Sequence, residues 1–281
     1  MVTANMPTIS IITAAYAPSA EYLSETISSV DQQEMPDGWA LEWIVQEDGD
    51  SPVLADSFKG IPYVKYAANG RQLGIPGTRN LALDRATGGL LRVLDSDDVL
   101  LPGALASLIP HFVDSAIHWA VGQADDLMTD GRRVQWDPLI PVGLVRAGAV
   151  NDYAIANGGN WPIHCAGLAA RTDSIRAVGG WAGTPNDEDI VMFAALSEMC
   201  DGWNDEAVTW LYRQHPAQVT RTGAWREHSE IGRRIALRRI HAVRALGLNF
   251  GVDVLPSLGA VSGADVVVDR AIKDRGDSDY L

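Results

Sequence analysis

Short apolar runs alternate with amphipathic stretches through the first hundred residues. Residues 8–14, TISIITA, form a β-rich apolar run that predicts a buried strand. Pro18 and Ser19 interrupt it, and Tyr22, Leu23, Ile27 and Val30 then recur at helical spacing. Residues 41–46, LEWIVQ, predict a second strand running into the acidic turn EDGDS, and residues 62–67, PYVKYA, a third. After a glycine-broken loop, residues 78–86 predict a helix closed by Gly88 and Gly89. Residues 90–94, LLRVL, predict a fourth strand, which ends in DSDD. Strands separated by helices imply βαβ units and a mainly parallel sheet.

The second half is less regular. Residues 119–126 and 132–136 predict strands, and residues 140–156 fit either a helix or a mobile loop. Residues 161–171 lead into a helix at 173–178, a further helix is expected at 187–199, and a strand at 207–212 ends in RQHPAQVTR. A helical pattern runs from 223 to 246, with Ile231, Ile235, Ile240 and Val243 apolar and arginines at 226, 233, 234, 238, 239 and 244. The tail after Ser257 is poor in aromatics and ends KDRGDSDYL, so its last dozen residues are expected to be disordered.

In open parallel sheets ligands collect at the carboxyl ends of strands. Three polar groups fall at such ends: residues 13–16, 47–51 and 95–98. Asp95, Asp97 and Asp98 pack enough negative charge into one turn to favour a hard divalent cation, Mn²⁺ or Mg²⁺, that can bridge protein carboxylates and a diphosphate. Read blandly, the same turn is a solvated cap for the helix beginning near Pro102.

Composition narrows the classes. The chain has 281 residues, long enough for a sizeable core, and a formal net charge of −14, which argues against nucleic acid as a partner. A phosphorylated ligand must therefore be held locally, by arginines, amides or a metal. Cys165 and Cys200 give neither a disulfide framework nor a close metal pair, so a reducing cytoplasm is expected. The N-terminus carries no signal-peptide pattern, and no apolar stretch predicts a membrane span.

The order of motifs adds what no single one carries. TISIITAAY, VQEDGDS, NGRQLGIPGTRNLAL and LRVLDSDD together resemble the nucleotide-binding half of family 2 glycosyltransferases, strongly over residues 7–110 and more weakly up to NDEDI near residue 180. The resemblance implies a GT-A type α/β fold with a Rossmann-like, mainly parallel central sheet flanked by helices and a C-terminal helical extension. It places the nucleotide-sugar-binding half at 1–110, the acceptor half at 111–222 and a helix and tail at 223–281. It implies an inverting, metal-dependent transfer from a nucleotide sugar, UDP-linked first and dTDP-linked next, to an acceptor hydroxyl.

By the same resemblance Thr13, Ala15 and Tyr16 border the base and ribose, Asp48 accepts an imide N–H, and Arg71 and Arg79 face the diphosphate. Arg79 fits equally well an ion pair with one of the aspartates. Asp97 takes the ribose side, and Asp98 binds the metal with His215, Asp95 sharing either task. Asp189 is the implied general base, with Glu188 as alternate; as bland helix-start acids the two would merely favour the dipole. Arg213, Gln218 and Arg221 belong to a loop that closes on the diphosphate, and Trp181 and His164 are the candidate acceptor contacts. The turn departs from the usual DDGS because Glu47 stands first, and Ala14-Ala15-Tyr16 lacks the family's Pro-Thr-Tyr-Asn wording. Two other readings are a sugar nucleotidyltransferase, for which residues 13–23 lack the glycine-rich basic loop, and a non-catalytic binding protein on the same fold.

Overall fold

A computed structural model describes residues 6–221 and 223–251. The expectation for the tail after Ser257 lies outside the described residues. The chain runs β1 (Thr8–Tyr16), α1 (Ala20–Asp31), β2 (Ala40–Asp48), β3 (Val64–Ala68), α2 (Gly74–Arg85), β4 (Leu90–Val93), β5 (Val99–Leu100) and α3 (Ala104–Leu108). It continues with β6 (Ile117–Leu127), β7 (Arg133–Gln135), β8 (Gly143–Val145), α4 (Ala149–Ala156), β9 (Leu168–Arg171), α5 (Thr172–Ala177), α6 (Glu188–Met199), β10 (Asp201–Arg213) and α7 (Gly223–Leu246).

One mixed α/β sheet holds these strands in the order β3-β2-β1-β4-β9-β6-β10-β5, with β7 on β6 and β8 on β10. Its first four strands are parallel, and so are β6 and β10; the short β9 is antiparallel to both neighbours. The period of two in β1 sorts its side chains onto two faces. Ile9, Ile11 and Ala15 join a core with Leu23 and Val30 of α1 and Leu105 and Leu108 of α3. Ile12 joins the opposite core, with Ala82 of α2, Phe193 of α6 and Ala236 and Ile240 of α7. Burial on both faces explains why β1, β2 and β4 are nearly continuous apolar runs. Among the described residues no helix is long and apolar enough to cross a membrane.

Several boundaries differ from expectation. Residues 140–156 are neither one helix nor a loop: β8 pairs antiparallel with residues 202–204, and α4 follows after Gly148, whose φ is +83°. β10 begins at Asp201, six residues before the predicted strand, and bends at irregularities between Asn204 and Trp210. α2 starts at Gly74 rather than 78, although Gly-Ile-Pro-Gly reads locally as a loop. The cause is distant in sequence. Asp48 Oδ1 accepts the Leu73 N–H at 2.6 Å and Oδ2 the Gly74 N–H at 3.0 Å, so a carboxylate from the end of β2 caps the helix.

Candidate active site

The ends of β1, β2, β4 and β10 and the start of α6 deliver the candidate residues to one side of the sheet. Thr13 is fully buried and serves the scaffold: its hydroxyl accepts Trp43 Nε1–H at 2.9 Å and donates to the Leu94 carbonyl at 2.7 Å. Ala15 is also buried, whereas Tyr16, 43% exposed, stands at the mouth. Arg71 is exposed, and its backbone bridges to Gly49 beside Asp48. Asp48 accepts a third hydrogen bond, from Asn69 Nδ2 at 3.0 Å, on the oxygen that already takes the Leu73 N–H. Glu47 is wholly internal: it accepts the Val53 and Leu54 N–H groups at 3.0 Å and the Tyr66 hydroxyl. Glutamate at this place therefore ties down the following loop.

The acidic turn after β4 is gripped from three sides. Arg79, only 4% exposed, puts Nη2 2.5 Å from Asp95 Oδ1 and Nη1 3.0 Å from Glu188 Oε1. One guanidinium thus spans the acidic turn and the first turn of α6, and Trp181 lies under it with the ring centroid 5.9 Å away. Behind the turn, Arg92 is fully buried and donates to the Ala166 carbonyl at 2.8 Å. Burial pushes its guanidinium down to about 10, against the pull of Asp98 and Asp95. The end of β10 closes the third side: Arg213 N–H donates to Asp98 Oδ1 at 2.9 Å, Arg213 Nε–H to the Asp97 carbonyl at 2.6 Å, and His215 Nε2 meets Asp97 Oδ2 at 2.9 Å. Gln218 donates back to the Arg213 carbonyl at 2.5 Å, and Arg221 to Gln218 at 3.1 Å.

Asp98 is accordingly enclosed, with its second oxygen buried and unpartnered. Burial first, then Asp97 and Asp95, holds its carboxyl well above the ordinary range. Asp97 is shifted upward for the same reasons, partly offset by His215. Among the described residues no three His, Cys, Asp or Glu side chains converge on a metal position as they stand. Asp97 and His215 nonetheless have the spacing of adjacent ligands, since two donors about 2.1 Å from one ion at a right angle lie about 3 Å apart. Carboxylate and diphosphate oxygens suit Mn²⁺ or Mg²⁺, and an imidazole nitrogen among the donors favours the softer Mn²⁺ of the two.

At the start of α6 Glu188 is buried, and burial lifts its carboxyl to about 7 despite Arg79. Asp189 is half-buried, and its Oδ1 accepts the Ile190 N–H at 2.7 Å in the first turn of α6. Asp187 precedes it with φ +53°, a left-handed conformation that costs about 1 kcal/mol or more in a non-glycine residue. His164 is solvent-accessible, its ring 4.9 Å from Trp210 and 4.7 Å from Tyr212. Crowding there disfavours its charged form, while Asp189, Asp95 and Asp126 oppose that shift. Trp181 is core, 2% exposed, a burial that does not suit the expected acceptor contact, whereas His164 is exposed. Asp126 lies near the end of β6 with no motif around it, and Tyr212, though it directly precedes RQHPAQVTR, reads in the sequence only as the last residue of a strand.

The family profile described as Glycosyl transferase family 2 matches residues 10–166, more than half of the chain. The succinoglycan biosynthesis protein ExoO of Rhizobium meliloti is 30% identical over 132 residues, 46% of this chain and 37% of that protein. The GalNAc(5)-diNAcBac-PP-undecaprenol beta-1,3-glucosyltransferase of Campylobacter jejuni is 34% identical over 109 residues, 37% of this chain and 34% of that protein. The matches thus span little more than a third of these curated relatives. Among solved structures, S. aureus TarS 1-349 in complex with UDP superposes with a TM-score of 0.60 at 17% identity, covering 88% of this chain and 68% of that one. Its complex with UDP-GlcNAc gives 0.58 at 16% identity over 76% and 60%. These structures share the GT-A fold with this chain.

Proposed function

The chain belongs to glycosyltransferase family 2, and from that premise we propose that it transfers a sugar from a nucleotide diphosphate, UDP-linked before dTDP-linked, to an acceptor hydroxyl with inversion. The observation that carries this reading is the Arg79 bridge, which fastens the acidic turn to the helix bearing Asp189. Donor phosphates and an acceptor base are needed in one cleft, and these are the two elements that would supply them. UDP is favoured because the TarS structures superposing on this chain hold UDP and UDP-GlcNAc.

Tyr16 and Asp48 form the nucleoside end, and Arg71 faces the diphosphate. Asp48 Oδ2 accepts one internal hydrogen bond, which leaves a lone pair for an imide N–H. Asp97 and His215 would hold Mn²⁺ or Mg²⁺, with Asp95 beside them; this transfers the metal role from Asp98, which is enclosed. When bound, the ion supplies positive charge toward the departing diphosphate. Asp189 takes the acceptor proton as the hydroxyl attacks the anomeric carbon from the face opposite the leaving group. Arg79 and Glu188 fix the start of α6, and neutral His164 accepts or donates a hydrogen bond to the acceptor. Residues 1–110 serve as the donor half and 111–222 as the acceptor half. Two buried free cysteines accord with a reducing, cytoplasmic setting.

Calorimetric titration of UDP, dTDP and GDP, with and without Mn²⁺, tests the donor site. Manganese-dependent binding of UDP supports it. Failure of every nucleotide to bind would leave only a shared fold.

A further inference from the structure

A recess of about 350 Å³ opens on the acceptor side of the molecule, between the loop after α4 and the middle of α7. Gly158, Gly159, Glu230, Arg233, Arg234 and Leu237 line it. Both glycines hold left-handed φ values, +66° and +81°, and a Cβ on either would meet nothing within 4 Å, so the wall is open to a ligand.

The charge in this recess is unusual for the molecule. On a chain of net charge −14, two adjacent arginines line the recess with one carboxylate, Glu230. Arg244 of the same helix is neutralised by Glu198 and Asp152. Arg234, by contrast, is exposed and has no hydrogen bond or ion pair among the described residues. Glu230 stands four residues before it, the spacing at which helical pairs normally form, yet the two make none. Arg233 is fixed in place by Asn160 Oδ1 at 2.5 Å and by Asp187 Oδ2 at 3.5 Å. Gly232 packs against the backbone of Asn186, where a Cβ would come within 2.5 Å of its carbonyl oxygen. The recess is thus braced against the turn that presents Glu188 and Asp189.

We infer that this recess binds a phosphate or diphosphate group carried by the acceptor. Arg234 supplies the free cation, and Arg233, already positioned, the second edge of the fork. Glu230 at the rim accepts from a neighbouring hydroxyl and disfavours anions that lack one. Assigning the group to the acceptor rests on the transferase reading; the anion site itself does not.

The test uses the full chain, inorganic pyrophosphate and geranyl diphosphate, with binding followed by NMR shift perturbation in the absence of metal and repeated at saturating UDP. Pyrophosphate is expected to bind equally with and without UDP, and Arg234→Ala to weaken it about tenfold. Arg132→Ala, at an exposed arginine paired with Asp130, should leave it unchanged. Tighter binding of geranyl diphosphate identifies a lipid-borne group and equal binding a soluble one; either supports the site. Displacement by UDP, indifference to Arg234→Ala, or no binding at millimolar pyrophosphate overturns it. A chain that binds pyrophosphate here but no nucleotide would lose the transferase reading and keep this site.

Discussion

Arg79 Nη1 lies 3.0 Å from Glu188 Oε1 across 109 residues of sequence, and the same guanidinium holds Asp95. Neither carboxylate has another cation at this distance among the described residues. Replacement by methionine therefore strands two acids around a buried apolar side chain. Arg79→Met is expected to lose about 3–5 kcal/mol of stability and at least about 100-fold in turnover, because the base helix is no longer registered to the acidic turn. Denaturant unfolding and steady-state rates check both; wild-type turnover in the variant would remove Arg79 from the site.

Glu188 gives a signed pH dependence. Its carboxyl is lifted from 4.5 to about 7 by burial, so the folded chain binds that proton more tightly than the unfolded chain. The resulting stabilisation is complete below pH 4.5 and is lost as pH rises through about 7. Glu188→Gln, fixed in the neutral form, should flatten the fall of Tm across that window. Parallel Tm–pH curves for the two proteins would place the titration elsewhere.

Metal use separates Asp97 from Asp98. Asp97→Asn and His215→Ala should each abolish a manganese enhancement of UDP affinity of about tenfold or more. Asp98→Asn should keep it, since an amide oxygen can still accept the Arg213 N–H. Calorimetry that found Asp98 essential and Asp97 dispensable would reverse the assignment.

Thr13 and Tyr16 were both expected at the nucleoside, but only Tyr16 is exposed. Thr13→Val leaves Trp43 Nε1 buried without an acceptor, at about 1–3 kcal/mol, and should not change UDP affinity. Tyr16→Ala should do the opposite. Thermal melts and titrations on the two variants would show the division directly.

At the acceptor end, His164→Ala should raise the acceptor KM about tenfold and leave UDP affinity within about twofold. A change confined to UDP binding would move His164 to the donor side.

Where burial alone decides the structure, the sequence was legible. β1, β2 and β4 are buried on both faces, and their apolar runs announce them. β7, though exposed, coincides with the strand expected at 132–136, but β8 is not legible: it lies at an exposed edge, where Leu144 faces solvent and alternation has no core to report. The start of α2 escaped because its cap comes from Asp48, 25 residues upstream of Leu73, and local rules see only Gly-Ile-Pro-Gly. The site shows the same division. Motifs located the acidic turn, the α6 carboxylates and His215 along the chain. Which aspartate meets His215 depends on how β10 folds over the turn, and adjacent positions 97 and 98 differ only in the direction their side chains take.

The capping of α2 by Asp48 also bears on how this site can diverge. If Asp48 has the proposed nucleoside role, it could not be exchanged to alter ligand preference without unfastening the helix that carries Arg79. On the proposed reading, substitutions that retune donor choice at least structural cost would fall at Tyr16 and Arg71, whose side chains are exposed. Variation can accumulate there while Asp48 stays fixed, so its invariance among descendants would record a constraint of architecture as much as one of chemistry.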